Sequence, residues 1–295
     1  MDGFVNLLKP PGMTSSDGVL FVRRLLPRKT PVGHGGTLDP DAAGVLPVCV
    51  GRATRLFDYI IDKTKTYIGE VCFGVATDTC DATGKAVSVS DRIPNADEVK
   101  AALPAFTGDI MQVPPMFSAL KRDGKKLYEL ARKGESVALE ARSVHIFGLD
   151  YISQTGFNKH LIRIHCGKGV YIRSLMRDIG QHLGAKAHMS FLIRESAGAF
   201  HVENAYTPEE LAAPGAIEKA LKPMDHLLSA YPRADVSEEY RKKVLCGNPV
   251  QRAWLKTDIE NTNQPVRVYV EGDFAGMGEI RENGEIAFRA MLLRG

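Results

Sequence analysis

Within eight residues, Gly33-His34-Gly35-Gly36-Thr37-Leu38-Asp39-Pro40, this chain gathers three glycines, an imidazole and a carboxylate. A single aspartate in such a loop can act as a nucleophile or as a general base. Pro40 disfavours helical backbone at the residue before it, so Asp39 is expected on an extended or turn conformation. Glycine tolerates backbone angles closed to other residues and lets a ligand come close to the main chain. By composition alone, an ordinary polar connection explains the stretch as well, because loops favour Gly, Asp and Pro for local reasons. Two other groups could join the chemistry: Tyr67, in the strand-opening run Lys65-Thr66-Tyr67, and Arg173, on a helix. An arginine beside Asp39 would keep its carboxylate ionised and aimed. Spacing does not show that the three meet.

Other site patterns are absent from the sequence. No Gly-Lys-Ser/Thr closes the glycine-rich loop, so it is not a phosphate-cradling P-loop, and a phosphotransferase is disfavoured. There is no His-Glu-x-x-His and no Gly-x-Ser-x-Gly elbow. The five cysteines, Cys49, Cys72, Cys80, Cys166 and Cys246, form no Cys-x-x-Cys pair and are odd in number. Neither a zinc site nor a disulfide framework is expected, and a reducing cytoplasm is the default.

The candidate groups must be positioned by regular elements. Phe4 to Leu8 reads as a strand, stopped by Lys9-Pro10-Pro11-Gly12. Ser15 or Ser16 can cap a helix striped by Val19, Leu20, Val22, Leu25 and Leu26. The apolar run Val45 to Gly51 follows the Asp39 loop, and a helix is expected over 53–61. Lys65 to Ala76 alternates as a strand, with Tyr67, Gly69, Val71 and Phe73 on one face. Further strands are expected at Val144 to Ile152, His160 to Cys166 and Ser190 to Ile193. Tyr171 to Leu183 is the strongest helix signal, with Ile172, Leu175, Met176, Ile179 and Leu183 at helical spacing and Gly184 as the stop. A helix from Ala216 toward Leu228 is expected to break at Pro223. Gln112 to Leu120 is proline-broken and apolar. It leads into Lys121 to Lys133, which has six basic and two acidic residues. That segment suits a nucleic-acid backbone, although a solvated helix face is the commoner explanation of a charge run.

The chain of 295 residues, with 44% hydrophobic and 25% charged residues, fits an ordinary globular protein of about two domains. A net charge of +3 permits an RNA partner without requiring one. The excess lies before Val236, since residues 236–295 carry nine basic and nine acidic groups. No apolar run approaches a membrane span of about 18 residues, and Met1-Asp2-Gly3-Phe4 opens no secretory signal pattern. The boundary is placed at 230, dividing 1–230 from 231–295. In the second part Val266–Val270, Phe274–Ile280 and Ile286–Leu293 read as strands, joined by turns that include Asn283-Gly284. A small β-barrel is the expectation there.

Five segments, in order, carry a family resemblance: Lys9-Pro10-Pro11-Gly12-Met13-Thr14-Ser15; Gly33 to Pro40 with Gly44-Val45-Leu46-Pro47; Lys65-Thr66-Tyr67; Gln112 to Leu120; and Tyr171-Ile172-Arg173-Ser174-Leu175. Together they resemble the TruB family of tRNA pseudouridine-55 synthases, over most of residues 4–200. Ile193 departs from the basic residue common in that family. The resemblance implies an α+β fold, with a mixed, largely antiparallel sheet flanked by helices and a C-terminal PUA-like RNA-binding barrel. It implies a uridine in the T-loop of tRNA as substrate, flipped from its stack and isomerised with no metal and no other cofactor. Asp39 matches the nucleophile, and the resemblance leaves open whether it attacks C1′ or the base. Arg173 matches its partner. Tyr67 matches the residue that stacks on the flipped base and is a candidate to take the C5 proton. His34 matches a residue lying against the RNA, Tyr171 and Leu192 match base-pocket positions, and Lys9 matches a loop brace. Lys121, Arg122, Lys125 and Lys126, in an insertion at about 112–135, match an RNA-clasping segment. A cytoplasmic monomer is expected. A tRNA-folding chaperone is the competing reading, and the intact Asp39, Tyr67 and Arg173 set argues against it.

Overall fold

The computed structural model describes residues 1–61, 64–118, 120–122, 124–132, 134–135, 137–260 and 262–293. The chain opens with β1 (Gly3–Lys9), α1 (Ser15–Arg24), β2 (Val32–His34), β3 (Ala43–Val50), α2 (Phe57–Ile61) and β4 (Lys65–Phe73). The hairpin β5 (Val75–Thr77) and β6 (Ala86–Val89), α3 (Ala96–Ala102) and β7 (Gly108–Gln112) come next. A short hairpin, β8 (Lys121–Arg122) and β9 (Lys125–Lys126), leads through α4 (Leu127–Arg132) to β10 (Arg142–Gly156) and β11 (Lys159–Cys166). Then come α5 (Ile172–His182), β12 (Ala187–Ala197), β13 (Phe200–His201), α6 (Pro208–Ala212) and α7 (Ala216–Ala220).

One nine-stranded sheet forms the spine, in the order β1-β3-β12-β4-β11-β10-β7, with β2 pairing β3 and β13 pairing β12. Every pairing in it is antiparallel except β3 with β12, which run parallel at Ile193↔Ala43 and Arg194↔Gly44. That parallel contact is tight. A Cβ on Gly44 would lie 2.3 Å from the Arg194 carbonyl oxygen, and Gly44 has a φ of +113°. Glycine is the residue that fits both constraints.

Helix α5 lies on the face shared by Tyr67, Gly69, Val71 and Phe73. It buries Ile172, Leu175, Met176 and Ile179 with Ile162, Ile164, Met189 and Leu192. Each such side chain contributes roughly 1.5–3 kcal/mol by leaving water. Gly69 makes the approach possible, because a Cβ there would stand 2.7 Å from the Met176 terminal methyl. Helix α1 packs Val19 and Val22 against Val5, Leu7, Leu46 and Val48. Its cap is Thr14, not the expected serines: Thr14 accepts from the Asp17 N–H, and Asp17 answers at the Thr14 N–H.

Three expectations shift. The strand from Lys65 stops at Phe73, because Gly74, at a φ of +102°, turns the chain into β5. The segment expected as a helix over 53–61 begins as a 3-10 turn, Gly51–Leu56, before α2. Helix α7 ends at Ala220, ahead of Pro223.

The C-terminal part carries β14 (Arg233–Val236), α8 (Arg241–Leu245), β15 (Val266–Val270), β16 (Asp273–Ile280) and β17 (Ile286–Met291), in the sheet order β14-β15-β16-β17. The strands do not close into a barrel by themselves. A short irregular segment joins the two edges instead. Val250 bridges Ile286 on β17, and Leu255 bridges Val236 on β14. The sheet packs onto the main body through Met277, Ala290 and Leu292, which share a core with Phe4, Ala53, Leu56 and Leu228. Arg52 donates to the Leu292 carbonyl, and Arg55 donates to that of Met291 at 2.9 Å. Among the described residues no helix is long and apolar enough to cross a membrane.

Candidate active site

Asp39 lies between β2 and β3, on a loop held from three sides. Ser15, at the start of α1, donates its hydroxyl to the Leu38 carbonyl at 3.0 Å and accepts from the Leu38 N–H at 2.8 Å. Lys9, at the end of β1, is wholly buried, and its ammonium donates to the carbonyls of Pro10, Met13 and Pro40 at 2.9, 2.6 and 2.9 Å. Three acceptors match the three N–H bonds of an ammonium. Burial pulls the Lys9 pKa down to about 8, against the opposing pull of Asp41 and Asp39. The third clamp is Arg194 of β12, also fully buried, which donates to the carbonyls of Val45, Thr37 and Gly36 at 2.7, 3.3 and 3.3 Å.

Arg173, in the first turn of α5, meets Asp39 in a two-pronged pair. Its Nη2 donates to Oδ1 at 3.0 Å, and its Nε lies 2.9 Å from Oδ2. Such a fork fixes the carboxylate in angle as well as distance. The guanidinium also donates to the Thr79 carbonyl at 3.2 Å and the Phe117 carbonyl at 2.9 Å, and it stands 3.5 Å from Asp81 Oδ2. Burial pushes the Asp39 carboxyl above the ordinary carboxylate range; Arg173 pulls it back, and Asp81 adds to the rise. A carboxylate raised in this way is a better base and nucleophile than a free one.

Tyr67 faces the same side from β4, with 8% of its surface exposed. Its cross-strand partner is Arg194. Burial raises the phenol pKa, and the Arg194 charge opposes that rise. Leu192, 6% exposed, is two residues from Arg194 and packs in the same core as Tyr67 and Leu38. Tyr171 caps α5 without using its side chain. The Gln112 carboxamide accepts from its N–H at 2.8 Å and donates to its carbonyl at 3.1 Å. The residues after Gln112 are latched to the same helix: Ser174 and Arg177 both donate to the Val113 carbonyl, at 2.8 and 3.0 Å. His34 ends β2. Burial, then the Arg194 charge, lowers its pKa and keeps the ring neutral. Its Nδ1 is buried and meets no partner at hydrogen-bond geometry among the described residues.

Asp39, Arg173, Tyr67, Leu192 and Lys9 are thus gathered around one loop, with Tyr171 at the start of the helix that supplies Arg173. Lys121, Arg122, Lys125 and Lys126 form the backbone pairs Lys121↔Lys126 and Arg122↔Lys125. Their side chains lie outside the described residues. Sequence reasoning missed Arg194, Asp81, Ser15 and Gln112 as parts of the site. Arg194 left a trace, since it has the inward parity of Leu192 in an apolar strand. Asp81, in the turn after β5, left none.

Three family models match the chain in succession. The TruB family pseudouridylate synthase N-terminal domain covers residues 23–172. The tRNA pseudouridylate synthase B C-terminal domain covers 173–229, and the pseudouridine synthase II TruB C-terminal model covers 232–292. The chain belongs to the TruB family of pseudouridylate synthases. It is 43% identical to the tRNA pseudouridine synthase B of Alkaliphilus oremlandii over 95% of this chain and 94% of that one. It is 38% identical to that of Clostridioides difficile over 98% of each. It is 49% identical to that of Symbiobacterium thermophilum over 84% of this chain and 82% of that one. Among solved structures, a Cbf5–Nop10–Gar1 complex superposes with a TM-score of 0.76 at 24% identity, over 99% of this chain and 85% of that one. This likeness describes a shared fold.

Proposed function

We propose that this chain isomerises uridine 55 in the T-loop of tRNA to pseudouridine, as a cytoplasmic monomer. The reaction is redox-neutral. The N1–C1′ bond breaks, the uracil turns, C5 joins C1′, C5 gives up a proton and N1 gains one. The forked Asp39–Arg173 pair beside the buried Tyr67 carries this reading, because it supplies an aimed carboxylate next to an aromatic wall. Asp39 is the nucleophile, and Arg173 keeps it ionised and oriented. Tyr67, with Leu192 and Tyr171 lining the pocket, receives the base once it has left its stack. Flipping costs a few kcal/mol in lost stacking, and an aromatic pocket offsets much of that. Tyr67 is the candidate to take the C5 proton; burial holds its phenol protonated, and the Arg194 charge beside it offsets part of that. His34 stays neutral against the RNA, and Lys9 braces the loop. Residues 1–230 form the catalytic unit, with Lys121, Arg122, Lys125 and Lys126 closing on the RNA, and residues 231–295 form a second RNA-binding unit.

The test is an unmodified tRNA transcript incubated with the protein and mapped for pseudouridine. Asp39→Asn is expected to lower the rate at least about 1,000-fold, as removal of a nucleophile does, while tRNA binding persists. Modification by Asp39→Asn at a rate comparable with the unsubstituted chain removes Asp39 from the nucleophile role.

A further inference from the structure

Between Asp17 and Asp39 the sequence has no acidic residue, yet it carries Arg23, Arg24, Arg28 and Lys29. Arg23 donates to the Val32 carbonyl at 3.1 Å. Arg24, Arg28 and Lys29 are exposed. Among the described residues none of these three has a carboxylate partner. Several other surface arginines do pair with a carboxylate: Arg92 with Glu98, Arg163 with Glu195, Arg233 with Asp235, Arg241 with Asp273 and Arg289 with Glu279.

Arg24 closes α1, and the turn that presents Arg28 and Lys29 is tied by its own hydrogen bonds. Pro27 and Pro31 flank it, and Thr30 donates both its N–H and its hydroxyl to the Pro27 carbonyl, at 3.2 and 2.7 Å. Lys29 sits at a φ of 69°. Only three non-glycine residues adopt positive φ among the described residues, and another of them, Cys80, lies in the turn that brings Thr79 and Asp81 to Arg173. A lysine held in left-handed backbone is costly, and such outliers cluster at functional places.

Its position gives the patch a partner. The first residue of α1, Ser15, touches the Asp39 loop, and ten helical residues run about 15 Å to Arg24. Beyond the turn, Pro31 accepts from the Gly51 N–H at 2.8 Å. The next residue, Arg52, reaches the Leu292 carbonyl at the end of the C-terminal sheet. The segment that carries the patch is thus anchored to the Asp39 loop at its start and, through Pro31, Gly51 and Arg52, to the C-terminal sheet at its end.

We propose that Arg24, Arg28 and Lys29 form a preorganised phosphate-contact site for the RNA helix that leads from the reacting uridine toward the C-terminal sheet. The inference rests on the tRNA reading given above. Three unpaired cations with no carboxylate among them suit phosphates, and a turn already fixed loses little freedom on binding.

The experiment measures tRNA affinity against salt for the unsubstituted chain and for Arg24→Gln/Arg28→Gln/Lys29→Asn. Asparagine tolerates the left-handed backbone at position 29. The log–log salt slope is expected to flatten by about 2 to 3, near one per lost phosphate contact. Affinity near physiological salt is expected to fall more than about tenfold for full-length tRNA. A hairpin trimmed to the loop and its adjoining pairs is expected to show little change. An unaltered slope, or an equal loss for the trimmed hairpin, overturns the proposal. An unchanged thermal midpoint separates lost contacts from lost folding. If the unsubstituted chain binds tRNA without isomerising it, the functional reading fails while the slope still decides the patch. If it binds no tRNA, both fall.

Discussion

At the scale of single residues, the site rests on charges removed from water and then matched. Asp39 is raised by burial and held by Arg173, and Lys9 is lowered to about 8 and held by three carbonyls. Above that pH Lys9 becomes an amine with two N–H bonds for three acceptors, so the Pro40 end of the loop loosens. Turnover is therefore expected to decline as pH rises through about 8. A pH–rate profile of Lys9→Arg, which stays charged, is expected to lack that alkaline limb, whatever its absolute rate. Persistence of the same limb in the variant would assign it elsewhere. Asp39 and Tyr67 were visible in the sequence as chemical types, and Arg173 as a charge beside a helical stripe. Asp81 was not visible, because its closeness to Arg173 depends on how the turn after β5 folds over α5.

At the scale of elements, the Asp39 loop is a product of strand geometry. β12 runs parallel to β3 for two residue pairs, which puts Arg194 under the loop, and Gly44 is what permits that approach. Gly44→Ala would force a Cβ into the Arg194 backbone at a φ disfavoured for alanine. A loss of more than about 3 kcal/mol is expected, in the range of strained or overpacked sites. Urea unfolding measures it, and a change below about 1 kcal/mol would mean that the parallel contact is softer than its distances. Helices were legible where their stripes were long: α5 matches the spacing of Ile172, Leu175, Met176 and Ile179. The end of β4 was less so, because Gly74 breaks a run whose alternation continues past it.

At the scale of the molecule, the C-terminal sheet shares its core with the main body. Leu292, 1% exposed, packs with Phe4, Ala53 and Leu56. Leu292→Ala is expected to cost about 2–5 kcal/mol, as buried leucine truncations do. It is also expected to lower one cooperative calorimetric transition. Two separated transitions in the unsubstituted chain would show that the shared core does not couple the parts. The sequence suggested a barrel from three strands and an Asn-Gly turn. The edges meet through Val250 and Leu255 instead, two single bridges whose strand character no periodicity reveals.

What the sequence determined by itself was local: the glycine-rich loop and its aspartate, the alternation that turns Tyr67 inward, the stripe of α5 and the hairpin turns. Each follows from steric and solvation preferences acting over a few neighbouring residues. The motif order was enough to carry the family resemblance. Tertiary structure alone decided that Arg173 reaches across 134 positions to Asp39, that Arg194 lies beneath the loop, and that Lys9 donates its three N–H bonds to three carbonyls. Those contacts depend on strand order and on the angle at which α5 crosses the sheet. Packing of the whole core sets both, and no window of sequence contains them.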